Sequence, residues 1–598
     1  MTRANHWVKA NHQCRIPKRW VTFDTESRTE KGENEEIQRW ASGAAVRWRR
    51  DLKTGEHEER ATFDSALDLW SWVSDYCMSG VRTIVYAHNL GHDIRISDVF
   101  SILPLLGFKL EWCNLDSNVS AMTWRSDHGT LVLCDLFTWI PKPLHDIGRL
   151  VGLEKLRMPD VSAVRREWDT YCQRDADIVA LAVKELIAYI DSEKLGNWQP
   201  TGAGMAYSTW RHRFMTHKVL IHDNEEVLKD ERSAMHTGRA EAWRHGVCSG
   251  DMWSEVDLRS AYTRIAAEEE VPAKYKFSCG GIISKQYVEL QAHYRLLCKV
   301  RVTTDLPVAP FNTGDRTIWP VGTFDTWLWD CEVDELLAEG QTVHIQAVHA
   351  YSRGPVLRDW ATWVLASQHT DRTETPDVVK AWLKHSGRSL IGRLSLRVPS
   401  WEPYGENPFS NPGLSYDVDT VTGKISRMMH VGNQTFIETA SHEGRDSCPQ
   451  ITGWIMAKCR ALLWRAMRSA GLDNIAHVDT DCVLVNTAGL ANLRSDYWGV
   501  FNDIWQIKAT WGSLLVYGPR SYRAGRERKM SGIPKKAVEV EYGRFKGEKW
   551  NGLASDMMSG RAGAVTVMPG VWHVNTEDPR RLSAADDAGR TVAIVVNQ

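Results

Sequence analysis

Asp479-Thr480-Asp481 stands between two apolar runs, Ala476-His477-Val478 and Cys482-Val483-Leu484-Val485. Alternate residues of a strand or tight hairpin share a face, so Asp479 and Asp481 are predicted to project together from a buried hairpin. Two carboxylates that close repel each other and resist desolvation. A divalent cation relieves both problems, and Mg²⁺ favours such oxygen ligands. A solvated acidic turn accounts for this stretch alone equally well. The balance shifts because compatible acids recur elsewhere. Asp24 and Glu26, one residue apart, end the apolar run Trp20-Val21-Thr22-Phe23. Thr83-Ile84-Val85-Tyr86-Ala87 reads as a strand leading into His88-Asn89-Leu90-Gly91-His92-Asp93. Tyr171 and Asp175, four residues apart, open a helical pattern carried on by Ile178, Leu181, Ala182, Leu186 and Ile190. That spacing puts both on one helical face.

A further acid, Asp257, lies in Glu255-Val256-Asp257-Leu258-Arg259-Ser260-Ala261-Tyr262. Lys380 and Lys384 share a helical face, preceded by Arg372 and followed by Arg388-Ser389-Leu390-Ile391-Gly392. A basic helical face beside metal-binding acids suits a triphosphate, although a solvated basic face is the commoner use of such residues. The most basic local stretch runs from Arg520-Ser521-Tyr522 through Lys529 to Lys536. Phosphate contacts need such charge and carry no sequence information.

Several elements must position these residues. At 598 residues the chain exceeds one ordinary domain, and its length suggests about three to five units. The stripe Ile451, Trp454, Ile455, Cys459, Leu462, Leu463, Ala466 and Met467 predicts a core helix ended by Gly471, packed behind the Asp479–Asp481 hairpin. Trp327-Leu328-Trp329-Asp330 and Val356-Leu357-Arg358-Asp359-Trp360 read as helical anchors of a mixed region. Positions 395–446, with Pro399, Pro403, Pro408 and Pro412, read as loop-rich.

The net charge of −2 leaves no basic imprint of a nucleic-acid partner in the sum, though acidic metal sites can cancel basic grooves. The 12 cysteines include no Cys-x-x-Cys pair. They read as free thiols of a reducing compartment, without a zinc site or disulfide framework. No apolar run is long enough to span a bilayer, and the polar, basic start is not a secretory signal.

Taken in order, Asp-x-Glu at Asp24 and Glu26, Asn-x-x-x-Asp at Asn89 and Asp93, and Tyr-x-x-x-Asp at Tyr171 and Asp175 resemble the three exonuclease motifs of proofreading DNA polymerases. Asp257 to Tyr262 is similar to the first polymerase motif, Asp-x-x-Ser-Leu-Tyr, with Ala261 for leucine. Lys384 with Ser389 and Gly392 resembles Lys followed by Asn-Ser-x-Tyr-Gly, with Arg388 for asparagine and Ile391 for tyrosine. Arg520-Ser521-Tyr522 resembles Lys-x-Tyr, and Lys529-Met530-Ser531-Gly532 resembles Lys-x-x-Gly. Ser233 to Ala240 loosely matches a Tyr-x-Gly-Gly linker through Gly238, with His236 for tyrosine and Arg239 for the second glycine; an ordinary turn fits it as well. The sequence thus resembles a family B DNA polymerase of the protein-primed phage or linear-plasmid branch.

The resemblance implies an α/β and α+β multidomain chain: a ribonuclease-H-like 3′-5′ exonuclease domain, then a right-hand polymerase with two insertions. The expected bounds are 1–197 for the exonuclease, 198–268 and 448–537 for the palm, and 360–395 for the fingers. The insertions are placed at 269–359 and 396–447, the thumb at 538–598. Two Mg²⁺ per site are expected, with Mn²⁺ able to substitute. Asp24, Glu26, Asp93 and Asp175 would hold one pair, and Asp257, Asp481 and the Leu258 backbone the other, with Asp479 beside them. Tyr171 would orient the attacking water, and Ser27, His88 and Asn89 would meet single-stranded DNA. The lysine that the family places before its third exonuclease motif has only His145 to match it in Pro143-Leu144-His145-Asp146-Ile147-Gly148. Backbone amides after Asp257 would cradle the triphosphate, which Arg372, Lys380 and Lys384 would bind. Tyr262 would exclude a 2′-hydroxyl, and Ile391 would border the nascent base pair. Gly238, Ser389, Gly392, Arg520, Tyr522 and Lys529 would contact primer or template.

Implied partners are primer-template DNA, deoxynucleoside triphosphates and a terminal-protein primer. The chain is expected to act as a monomer, away from membranes, in the cytoplasm of a bacterial host or virus-infected cell. Three alternatives stay open: an enzyme that starts without a primer or from an ordinary one, a nuclease whose second half only binds DNA, and a non-catalytic replication scaffold.

Overall fold

The computed structural model describes the chain except positions 1–2, 52–54, 114–120, 161, 369–374, 410–411, 419–422, 424, 433, 498–503, 562, 575–579, 584–588 and 598. The first unit is built on β1 (Arg19–Lys31), β2 (Glu36–Asp51), β3 (Arg82–Ala87) and β4 (Gly129–Asp135). β1 pairs antiparallel with β2 and parallel with β3, which is parallel to β4. β1 has one apolar set, Val21 and Phe23, packed with Trp70, Val85 and Leu133; Trp20 faces the other side among Ile84, Val132 and Ile178. Both faces of the strand are therefore covered, as a sheet between helical layers requires. Asn89 precedes α1 (Leu90–Ile96) in a left-handed conformation, φ +68°. α2 (Arg165–Ser192) buries Ile178, Ala182, Leu186 and Ile190 on one stripe, the helical period read in the sequence.

The second half centres on a five-stranded sheet. Its order is β5 (Ala240–Ala242), β7 (Ile475–Asp479), β8 (Cys482–Val485), β6 (Trp253–Leu258) and β9 (Trp505–Trp511). α3 (Ala261–Glu268) follows β6 directly. α4 (Asp377–Leu394) buries Val378, Val379, Trp382 and Leu383 in the core of the first unit, with Trp382 5.6 Å from Trp139. α5 (Pro449–Ala470) buries the predicted stripe, with Leu462 half-buried. It ends at Gly471, φ +84°, and lies behind the hairpin, where the Cys459 thiol donates to the Thr480 carbonyl. β10 (Leu514–Gly518), β11 (Ser521–Ala524) and β12 (Glu527–Met530) form a neighbouring sheet with Gly246–Cys248.

Two regions depart from the expectations. Trp327 to Trp329 closes a strand, Val321–Trp329, and a helix begins only at Asp330. The strand pairs with Tyr294–Thr304 in a sheet that also holds Val271–Gly280 and Thr342–Gly354. Arg397–Glu406, Gly413–Val418, Ile425–Val431 and Gln434–Glu443 form a four-stranded antiparallel sheet where loops were expected. Pro399 and Pro403 are tolerated because they fall where the register shifts, at Val398/Ser400 and Pro403/Gly405; bulges are where a sheet accepts proline.

The end of the chain turns back. β13 (Arg544–Trp550) and β14 (Val565–His573) extend the first sheet, with Val567 opposite Glu36 on β2. Val595–Asn597 runs parallel to Val321–Trp329. All 12 cysteines are free. Among the described residues, no helix is long and apolar enough to cross a membrane.

Candidate active sites

In the first unit, Asp24 and Glu26 share a face of β1, and α2 brings Asp175 across to them. One carboxylate oxygen from each lies within 4.8 Å of the others. Asp93, buried on α1, spends one oxygen on β1 itself, accepting from the Thr25 amide at 3.2 Å and the Thr25 hydroxyl at 2.7 Å. It braces the strand while adding its charge. Burial, then the Asp93 and Glu26 charges, hold the Asp24 carboxyl well above its usual range. Burial pushes the Glu26 carboxyl up to about 7 against the pull of Lys155. Three crowded carboxylates, with the charged forms of Asp24 and Glu26 penalised, are a donor set that fits hard divalent cations.

Lys155 is the residue the sequence reading missed. Its ammonium donates to Asp175 Oδ2 and lies 4.4 Å from the centre of the Tyr171 ring. His145, the expected stand-in, is exposed and 3.3 Å from Asp146. The loop carrying Lys155 folds back over Gly148. A Cβ there would lie 2.6 Å from the Leu153 carbonyl and 3.3 Å from the Lys155 nitrogen. Arg174 on α2 fastens the same loop by donating to the Glu154 carbonyl at 2.8 Å. The signal available in the sequence was Gly148 itself, followed by a lysine short of the third motif.

Tyr171 is buried beside these acids. His88 is half-buried, and partial burial pushes its imidazole down to about 4, so it is neutral. Asp135, at the end of β4, accepts from the amides of Asn89 and Phe137, each at 2.9 Å, tying two loops together. The Ser27 hydroxyl donates to Gln38 on β2 at 3.0 Å.

The second cluster lies in a cleft of about 810 Å³. Asp257 on β6 is opposite Cys482 on β8, and the Leu258 amide donates to the Asp481 carbonyl at 2.8 Å. Strand pairing thus sets Asp257 beside Asp481. Burial and the Asp257 charge push the Asp481 carboxyl up to about 7. Thr480 turns the hairpin in the left-handed region, φ +62°. Gly238 makes room for it: a Cβ there would lie 2.8 Å from Thr480 Oγ1. The Thr480 amide donates to the Arg239 carbonyl at 2.6 Å. Gly238 therefore supports the acidic turn. Arg239 is fully buried, donates to Glu241 at 2.6 Å and lies 5.1 Å from the Trp319 ring centre.

Basic groups meet these acids. Arg520 Nε donates to Asp479 Oδ1 at 3.1 Å, and Lys529 Nζ to the two oxygens of Glu255 at 2.8 and 2.6 Å. Tyr522, on the strand between them, donates to Glu255 at 3.3 Å. Lys508 donates to Asp257 Oδ1 at 2.6 Å and Gln506 to Oδ2 at 3.3 Å; neither was singled out in the sequence. Of the amides after Asp257, that of Leu258 is engaged by Asp481 and that of Arg259 by the Ile504 carbonyl. The first turn of α3 is left to face an anion.

Tyr262, Lys384 and Arg388 line the cleft, and Lys142 of the first unit reaches its wall. Lys380 lies one turn along α4 and pairs with Asp377 at 3.1 Å. Ile391 is buried in the core, its carbonyl accepting from Thr452 at 2.7 Å, so it does not border the cleft as expected. Ser389 donates within its own helix, and Gly392 is exposed outside the lining. Arg372 lies outside the described residues.

This architecture, an α/β unit followed by a β-hairpin-centred half, is similar in fold to a solved DNA polymerase. Structures of Phi29 DNA polymerase match 94% of this chain and 100% of their own. The orthorhombic crystal form gives 14% identity and a TM-score of 0.65. The ternary complex with primer-template DNA and incoming nucleotides gives 12% and 0.63. The complex with single-stranded DNA gives 14% and 0.63. The mixed α/β multidomain fold that the sequence resemblance implied is thus found, and it is one shared with Phi29 DNA polymerase. Neither a protein-family model nor a curated protein matches the sequence.

Proposed function

We propose that the chain is a DNA-templated DNA polymerase with a 3′-5′ exonuclease in its first unit. The observation that carries the reading is Asp257 beside Asp481 in a basic cleft, in a fold shared with Phi29 DNA polymerase along nearly the whole chain. We assign 1–197 to the exonuclease, 198–268 and 448–537 to the palm, 360–395 to the fingers and 538–598 to the thumb. Positions 269–359 and 396–447 are the insertions. Each centres on a separate sheet, the first joined at its edge by Val595–Asn597, and two such insertions support priming by a protein hydroxyl on a phage, plasmid or mobile-element genome.

Asp257 and Asp481 would hold divalent cations in the palm, and Asp24, Glu26 and Asp175 in the exonuclease, with Asp93 bracing the latter. When bound, such cations stabilise the attacking and leaving oxygens of phosphoryl transfer. The chain's own residues do the rest. A primer 3′-hydroxyl attacks the α-phosphate of a deoxynucleoside triphosphate, and pyrophosphate leaves. Lys384 and Arg388 meet the phosphates from α4, and Tyr262 fills the space under the sugar. Arg520, Tyr522 and Lys529 face the primer end. In the exonuclease, Tyr171 orients water at the scissile phosphate and Lys155 stands beside it.

The test is extension of a labelled primer on template with Mg²⁺ and four deoxynucleotides, with and without the primer. Wild type is expected to extend. Asp257→Asn is expected to lose extension by at least about 10³-fold while still degrading single-stranded DNA. A wild type that degrades but never extends overturns the polymerase reading in favour of a nuclease with a DNA-binding second half.

A further inference from the structure

Lys508 is the extra residue of a β-bulge. Along the β6–β9 pairing, Val256 is opposite Ile507 and Glu255 is opposite Ala509, so the register skips Lys508. A bulge re-aims a side chain, and here Lys508 Nζ ends 2.6 Å from Asp257 Oδ1 while Gln506 Nε2 takes Oδ2 at 3.3 Å. Both oxygens of Asp257 are thereby held by protein donors. Arg520 and Lys529 cover Asp479 and Glu255 in the same way. Among the described residues lining the cleft, seven Lys and Arg face four carboxylates. In the first unit the balance is reversed: among the described residues, the four carboxylates of Asp24, Glu26, Asp93 and Asp175 are set against Lys155, with Arg95 and His92 reaching Asp93. A net positive cleft disfavours a free divalent cation and favours a polyanion, whereas a net negative one does the opposite.

We propose that Lys508 is a resident counter-ion of Asp257, so that divalent cations enter the palm together with a nucleotide's polyphosphate and not ahead of it. The inference rests on the polymerase reading and deepens it. The bulge delivers an ammonium to the carboxylate that a cation would need. A free ion must displace that ammonium and enter a cleft of like charge. A cation carried on a triphosphate arrives with negative charge that Lys508, once released, can meet.

The test titrates Mn²⁺ into the full chain without DNA or nucleotide, reading free Mn²⁺ by electron paramagnetic resonance. Wild type is expected to show tight binding only at the first unit, lost in Asp24→Asn with Glu26→Gln. Adding a non-hydrolysable deoxynucleoside triphosphate to that double variant is expected to restore protein-dependent Mn²⁺ uptake. Lys508→Met in the same background is expected to bind nucleotide-free Mn²⁺ at least tenfold more tightly, and Asp481→Asn to abolish the gain. Lys508→Arg is expected to behave as wild type.

Tight nucleotide-free binding in the double variant that Asp481→Asn removes overturns the proposal without any change at Lys508. So does unchanged binding in a Lys508→Met protein that melts like wild type. Primer extension run in parallel separates the two readings. A chain that extends but ignores Lys508 sinks only this inference. One that never extends sinks the polymerase reading.

Discussion

At the residue scale, the two clusters use one device, carboxylates crowded beyond what burial tolerates, with lysines placed differently. Lys155 sits against Asp175 and the Tyr171 ring, where, on the proposed exonuclease reading, it would steady the scissile phosphate and the tyrosine at once. Lys155→Ala is expected to slow degradation of single-stranded DNA by about 10²-fold and to leave primer extension within twofold. Equal loss of both would mean that the lysine serves only the fold. The acids were legible because alternation along β1 and the four-residue step on α2 are local rules. Lys155 was not, because its approach depends on a loop folding back over Gly148, and nothing local aims it at Asp175. Ile391 misled for the opposite reason: its place in a motif pattern said nothing of which helical face the core would take.

The same crowding fixes a pH dependence. The Asp481 carboxyl is pushed up to about 7 in the folded chain by burial and Asp257. A carboxyl raised on folding binds its proton more tightly in the native state. Its favourable contribution is complete below its ordinary value near 4 and is lost as pH rises through about 7. In chelator, Asp481→Asn is therefore expected to raise the melting temperature by a few degrees at pH 8 and to change it little at pH 4. A variant that melts lower at pH 8 would show that the charge is already compensated in the native protein.

At the element scale, the β7–β8 turn depends on its neighbour in space. Thr480 occupies a backbone region that β-branched residues avoid, and Gly238 is what lets its side chain fit. Gly238→Ala puts a methyl 2.8 Å from Thr480 Oγ1 and 3.0 Å from Cγ2. Overpacking of that kind costs about 1–3 kcal/mol. Extension is expected to fall at least tenfold with exonuclease activity unchanged. Adding Thr480→Gly removes both the clash and the strain, so the double variant is expected to recover much of the loss. Purely additive effects would mean that the two residues do not touch.

Long helices such as α2 and α5 were legible because their apolar stripes repeat over several turns. The strands at 397–443 were not, because prolines that usually end strands sit at bulges here. Trp327 to Trp329 read as helical because a short apolar run leaves helix and strand undecided until its partner, Tyr294–Thr304, is known.

At the scale of the whole molecule, the chain is closed by its own end. Val565–Gln38 and Val567–Glu36 pairings carry the C-terminal hairpin onto β2, the strand that also pairs with the one bearing Asp24 and Glu26. The join is locked by Arg95 of α1, which donates to Asp556 at 2.9 Å and to the Asn551 carbonyl at 2.7 Å. Asp556 is fully buried and also accepts from the Thr566 amide at 3.3 Å. Removing one partner of a buried ion pair leaves the other charge uncompensated and costs about 3–5 kcal/mol. Because α1 also carries Asp93, whose oxygen braces β1, loosening the far end of the chain should reach the first acid cluster. Asp556→Ala is expected to shorten the thermal-inactivation half-life of the exonuclease, although position 556 is nearly 400 residues from Asp175. A half-life equal to wild type would mean that the hairpin rests on the first unit without supporting it. In that case the shared sheet would be a seam between independent bodies and not one structure.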